Sequence, residues 1–206
     1  MLTLWGRFSS INVRKVVLAA QLAGVPFERL DAGGAHGVVS TPTYLGRNPN
    51  GLVPLLQDGD FDLWESNVIV RYLCARHAAG TLYPTDLRAR FDAERWMDWQ
   101  QTSLNGAGRE AFIQLVRTPP ERRNPQAIAQ SMALTAVLHS LLDEHLSRQP
   151  FMAGTRLTMA DIPIACELHR WLGLPIALPP FHHLHAWYRG IEALPAARGV
   201  LDLELS

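Results

Sequence analysis

The chain is poor in lysine. Lys15 is its only one among 206 residues, and every other basic side chain is arginine. The 19 Lys and Arg residues are matched by 19 Asp and Glu, so the formal net charge is zero. A nucleic-acid partner needs a basic surface to meet its phosphates, and this balance offers none. Cysteine is scarce too: Cys74 and Cys166 are the only two, far apart and inside apolar helical patterns. That spacing argues against a disulfide framework or a thiolate metal site and predicts two buried free thiols. No apolar run reaches the ~20 residues of a membrane-spanning helix, so no membrane partner is expected. The opening MLTLWGRFSS lacks the charged and long apolar regions of a secretory leader, and a reduced, cytoplasmic setting is the expectation.

What is present suits a globular protein with a sizeable core: 48% apolar and 18% charged residues. Residues 1–80 alternate short strand-like and helix-like stretches. Residues 2–5 read as a buried strand, 11–24 as a helix ending at Gly24, and 25–31 as a second strand. A long connection follows, then a hairpin over 53–64 with Asp58-Gly59 at its turn, and a helix over 65–78. Residues 81–87 form a turn-rich linker. Residues 88–206 are almost entirely helix-forming: a long helix over 88–116 bent near Asn105–Gly108, a helix over 125–148 with Leu134, Val137, Leu138, Leu141 and Leu142 on its apolar side, and two more over 159–173 and 181–193. The expected architecture is an α+β lobe followed by an all-helical lobe.

Three short motifs stand out. In NPNGLVPLL, Pro54 lies at a strand start, where its missing N–H does no harm. A cis Val53-Pro54 bond would turn the Val53 backbone groups outward to pair with an extended peptide. In WESN, Glu65 and Ser66 stand where a helix begins. The helix N-terminus and the Ser66 hydroxyl suit a carboxylate, and Glu65 suits an ammonium group. In GTRLTMADI, Thr158 and Asp161 form a capping box with Leu157 and Ile162 at the staple positions, and Pro163, falling inside the helix, predicts a local bend.

These motifs, in this order and at these separations, resemble the cytosolic glutathione transferase family over essentially the whole chain. The resemblance implies a thioredoxin-like first lobe with a mixed four-stranded sheet, a helical second lobe and a homodimer. It implies glutathione as co-substrate, with Val53 and Pro54 holding the cysteinyl backbone and Glu65 and Ser66 the γ-glutamyl end. The catalytic group then lies after the first strand. No tyrosine precedes Tyr44, so the chain is similar to the serine-type classes (theta, zeta and relatives) or to the bacterial nu-like group. Ser10, Asn12 and Ser9 are the candidates for stabilising the thiolate, although Ser10 also reads as a plain N-cap. Phe8, Phe112 and Leu115 are candidates for an apolar pocket that takes the electrophile. Several classes place Lys or Gln just before Val-Pro, to contact the glycyl carboxylate. This chain has Leu52 there, leaving His36, Arg47 and Lys15 as substitutes. The Arg-rich run from Arg109 to Arg123 reads as solvated surface or as a bias toward anionic acceptors. His182, His183 and His185 do not gather on one helical face, and no metal is expected. Transfer to an electrophile is the leading reading. Disulfide reduction, isomerisation and a non-catalytic binding role stay open beside it.

Overall fold

A computed structural model describes residues 1–205. Strand β1 (Leu2–Trp5) buries Leu2 and Leu4 and leads into helix α1 (Ile11–Leu22) and strand β2 (Phe27–Leu30). A one-turn helix α2 (Pro42–Leu45) precedes the hairpin β3 (Leu55–Asp58) and β4 (Phe61–Trp64), and helix α3 (Ser66–His77) closes the lobe. The sheet order is β2-β1-β3-β4, with β1 parallel to β2 and antiparallel to β3. Helix α2 lies in the stretch that the sequence reads as loop. Thr41 makes it a helix: its Oγ1 accepts from Tyr44 N at 3.3 Å, and Pro42 fills the first turn.

The helical lobe begins with α4 (Leu87–Trp99), whose cap is Asp86, and continues through α5 (Asn105–Phe112), α6 (Pro125–Leu146), α7 (Asp161–Leu172) and α8 (His182–Glu192). The long first helix is continuous, and its departures from α geometry are π turns at Gln100–Leu104 and Ile113–Arg117 rather than a bend at the glycines. The Ser131 hydroxyl inserts into α5, accepting from Ala111 N at 3.1 Å and donating to the Ala107 carbonyl. A side chain placed between the two groups of one helical rung loosens the ladder there.

Helix α6 corrects an expectation. Leu134, Val137 and Leu141 are 53%, 68% and 44% exposed, whereas Ser131, Thr135, His139, Leu142 and Leu146 face inward. The reason is close packing: α5 offers Gly108 and Ala111, and small partners such as Ser131 and Thr135 fit against them. Of the expected apolar stripe, Leu142 and Leu138 therefore reach the core, and Leu134, Val137 and Leu141 do not. His139 is buried edge-on against Trp171 and Phe181. Burial, then neighbouring His185, pushes its pKa down to about 4.

Helix α7 starts at Asp161, so Pro163 occupies its first turn, where the backbone N–H has no helical acceptor, and the expected bend has no cause. The capping box is reciprocal in part. Asp161 accepts from Thr158 N at 2.8 Å, and Thr158 Oγ1 accepts from Ala160 N at 3.3 Å. The same carboxylate takes Met152 N at 2.9 Å and Trp187 Nε1 at 3.0 Å, so it fastens α8 and the preceding loop to α7.

Two outcomes follow. Asp161→Ala removes the acceptor of four buried donors, Met152 N, Thr158 N and Oγ1, and Trp187 Nε1, and should lower unfolding free energy by about 3 kcal/mol or more, read from denaturant titration. His139 is neutral when folded and protonates more readily when unfolded. Its contribution is present above pH 6.5 and is lost as pH falls toward 4. That loss amounts to roughly 3 kcal/mol. His139→Gln should flatten this part of the stability profile, measured by unfolding at a series of pH values.

Candidate active site

A cleft of about 420 Å³ opens where the start of α1 meets the 33–34 and 51–53 turns on one side and α5 with its following π turn on the other. Ser9, Ser10, Asn12, Leu52, Val53 and Phe112 line it. Ser10 is the N-cap of α1, with extended backbone (φ −92°, ψ 119°), yet its side chain makes no capping bond. Its carbonyl does the local work, accepting from Val13 N at 3.0 Å and Arg14 N at 3.1 Å. The hydroxyl is left uncommitted. Asn12 Oδ1 is buried without a hydrogen-bond partner, an unusual state for a polar atom. The amide therefore has bonding capacity that the fold does not use.

The Val53-Pro54 bond is cis. Among the described residues neither backbone group of Val53 has a backbone partner, and β3 pairing begins at Leu55. Val53 is held from behind, because the Leu52 carbonyl accepts from Tyr44 Oη at 2.6 Å and from Asn48 Nδ2 at 2.8 Å. Asn48 is 2% exposed and also takes Asn50 N at 3.1 Å. Neither Tyr44 nor Asn48 is visible as a positioning residue from the sequence, since both act through one backbone oxygen. Burial, partly offset by Asn48, lifts the Tyr44 hydroxyl to about 12, so it stays a donor. Pro54, Glu65 and Ser66 lie outside the cleft wall. Glu65 precedes α3 in a left-handed conformation (φ 71°), which a non-glycine residue adopts at some expense. Ser66 is buried at the first position of α3.

Of the apolar candidates, Phe112 lines the cleft. Phe8 instead lies under the Arg29 guanidinium at 4.5 Å, and Leu115 faces a separate surface groove. The three substitutes considered for the glycyl carboxylate are all placed elsewhere. Lys15 is fully buried, donating to Gln100 Oε1 at 2.9 Å and Gln101 Oε1 at 3.1 Å; Arg47 pairs with Asp62 at 3.2 Å; His36 lies exposed, 3.9 Å from Asp31. Burial, partly offset by Glu167, pulls the Lys15 ammonium down to about 8. Cys166 lines the cleft floor with its thiol pushed up to about 12 by burial, and Cys74 is likewise buried and unpaired. Arg7 also lines the cleft, which the sequence does not indicate, and Arg109 and Arg117 line it too, two members of the Arg-rich run that reads either as solvated surface or as a bias toward anionic acceptors. The one signal for Arg7 is its position directly after β1.

Arg14 closes the site at its far end. It is 4% exposed and donates to Phe8 O at 2.8 Å, Val200 O at 2.9 Å, Leu203 O at 3.1 Å and Glu204 O at 2.8 Å. Four carbonyls from both ends of the chain thus share one guanidinium. Arg14→Ala should destabilise the protein by about 3 kcal/mol and free residues 200–205 for limited proteolysis, followed by mass spectrometry. Arg14→Lys should recover little of this, because one ammonium lacks the planar fork that reaches all four.

This geometry has known counterparts. Family models described as the glutathione S-transferase N-terminal and C-terminal domains match residues 1–75 and 108–195. Glutathione S-transferase GstB of Escherichia coli strain K12 is 39% identical over 208 aligned positions, covering 100% of both chains. The human glutathione S-transferase theta-2 is 31% identical, covering 89% of this chain and 78% of its own length. A crystal structure of the theta class glutathione S-transferase from Xanthomonas axonopodis pv. citri with glutathione bound superposes with a TM-score of 0.96 at 41% identity, covering 100% of this chain and 99% of that one. On the full-length identity and the two matched domains, this chain belongs to the glutathione S-transferase family.

Proposed function

We propose that the protein binds glutathione in this cleft, stabilises its thiolate, and directs the sulfur at an electrophilic small molecule. The observation that carries this is the uncommitted polar set at the start of α1, Ser10 and Asn12, facing the unpaired backbone of Val53 across one cleft. An extended peptide paired to Val53 brings a cysteinyl side chain toward that set. Glu65 then meets the γ-glutamyl ammonium, and Ser66 with the N-terminus of α3 meets its carboxylate. The glutathione bound in the Xanthomonas relative supports the same ligand here.

The chemistry needs no general base. A free thiol near pKa 8.5 is only a few per cent ionised at neutral pH. Lowering it by two units requires about 2.7 kcal/mol of preference for the charged form. A charge-assisted hydrogen bond from Ser10 together with the positive end of α1 is of that size. Asn12 can supply a second donor only through its Nδ2, since its orphan Oδ1 accepts, and Ser9 is the third candidate in order. The free amide of Asn12 also favours a second reading, thiol–disulfide exchange with glutathione, for which a mixed disulfide is the assay substrate.

The protein is further proposed to work as a homodimer. Phe61 on edge strand β4, Val68 on α3 and Phe91 on α4 are 46%, 42% and 61% exposed, an apolar set that a second copy would cover.

The decisive experiment titrates the bound thiolate by its ultraviolet absorbance. Ser10→Ala should raise the thiol pKa by about 1–2 units and lower kcat/KM at neutral pH by roughly 10–100-fold. An unchanged titration would remove Ser10 and assign the role to Asn12, tested by Asn12→Ala in the same assay.

A further inference from the structure

Among the described residues, the cleft is lined by arginines and by no carboxylate side chain. Arg14 is spent on backbone carbonyls, and Arg170 pairs with Glu167. Arg7, Arg109 and Arg117 are different. None of the three has a carboxylate partner among the described residues, and neither Arg7 nor Arg109 makes any side-chain hydrogen bond there. Arg7 is half-buried and Arg109 and Arg117 are exposed, and the three bring guanidinium groups of one sign to a single cleft, which focuses a positive potential there. The arrangement is built by the backbone. A Cβ at Gly33 (φ 78°) would lie 2.6 Å from Arg7 Nη1, and one at Gly34 3.0 Å from Arg7 Nε, so the missing side chains make room for that guanidinium. Arg117 stacks over Phe112 at 4.7 Å, and its Nη2 donates to Ser9 O at 3.4 Å. It therefore stands directly over the segment that carries the thiolate donors. Burial, then Arg7, Arg170 and Arg109, lowers the Arg117 pKa, as expected for like charges crowded without a counter-ion.

Two carboxylates belong to glutathione itself. The γ-glutamyl one is proposed to sit at α3, outside this wall, and Arg109 and Arg117 rise from the helical lobe, opposite Val53. We infer that Arg109 and Arg117, with Arg7 at the rim, form an anion subsite for the second substrate, which is an electrophile carrying its own carboxylate. This rests on the glutathione-transferase reading above and names its acceptor class. In the reaction the glutathione sulfur forms a bond to the electrophilic carbon, a halide leaves with the old bonding pair, and the thiol proton has already passed to solvent. The arginines touch only the carboxylate and hold that carbon over the sulfur.

The test compares chlorodinitrobenzoate with its neutral isostere chlorodinitrobenzamide at saturating glutathione. The wild-type protein should prefer the carboxylate by at least about tenfold in kcat/KM, the worth of a charge-assisted pair. The preference should shrink as ionic strength rises. Arg109→Gln and Arg117→Gln should each reduce the ratio several-fold, and Arg109→Lys should keep most of it. Equal turnover of the two acceptors by the wild type overturns the inference without any variant. So does a ratio untouched by both Gln substitutions, or a loss confined to glutathione affinity, which would assign the arginines to the glycyl carboxylate. Glutathione titration by calorimetry separates the two layers: no binding to the wild type at millimolar concentration sinks the transferase reading, whereas binding without acceptor discrimination sinks only the anion subsite.

Discussion

Two adjacent cations on one helix, Arg14 and Lys15, hold the rest of this structure in place. Both point from α1 into the helical lobe, and both are buried. Burying a cation is expensive unless its donors are met. Here each is met by groups from the opposite lobe. Arg14 takes carbonyls from the C-terminal segment, and Lys15 takes the side-chain oxygens of Gln100 and Gln101. Separating the lobes would strand both charges, so lobe docking and charge satisfaction are one constraint.

The constraint propagates along a polar chain. Gln100, wholly buried, accepts from Lys15 and donates to Glu167 Oε2 at 2.9 Å. Glu167 pairs with Arg170, and Arg170 reaches Asn105 Oδ1 at 3.1 Å. Helix α1, the first π turn, α7 and the start of α5 are thereby tied through side chains that all need their partners. The π turn at Gln100–Leu104 falls where this network crosses the long helix, and π turns tend to occur where a helix must re-aim a functional side chain. The same network neutralises Arg170 and carbonyls take up Arg14, so that among the described residues Arg7, Arg109 and Arg117 are the cleft arginines with neither a carboxylate partner nor a full set of carbonyls.

The sequence was legible where a residue acts through its own side chain or its own backbone preference. Alternation and turn residues located the strands. Val53-Pro54 marked a cis turn on the cleft wall and Thr158-Asp161 the cap of α7, both local in their chemistry. Legibility failed where the deciding partner was far along the chain. Leu134, Val137 and Leu141 of α6 looked like part of a core face, but the small residues of α5 turned the helix so that Ser131 and Thr135 face inward instead. Lys15 looked like a ligand contact because nothing local shows that Gln100, 85 positions away, will claim it. The Arg-rich run was divided between surface and cleft by the second π turn, a feature without a sequence signature.

The position of the reactive segment follows from the same helix. Residues four apart on a helix share a face, so Ser10 and Arg14 lie one turn apart, the first over the cleft and the second locked to the far lobe. Arg14 also holds Phe8 O, two residues before Ser10. The strand-to-helix turn is therefore fixed from both sides, and the Ser10 carbonyl closes the first helical bonds. The backbone of Ser10 is thus committed while its hydroxyl makes no capping bond, at a position on the cleft wall. The buried cation next in the chain thus does more than join the lobes. It fixes the backbone that carries Ser10, and in the proposed role a donor on a fixed backbone has less freedom to lose on meeting a thiolate.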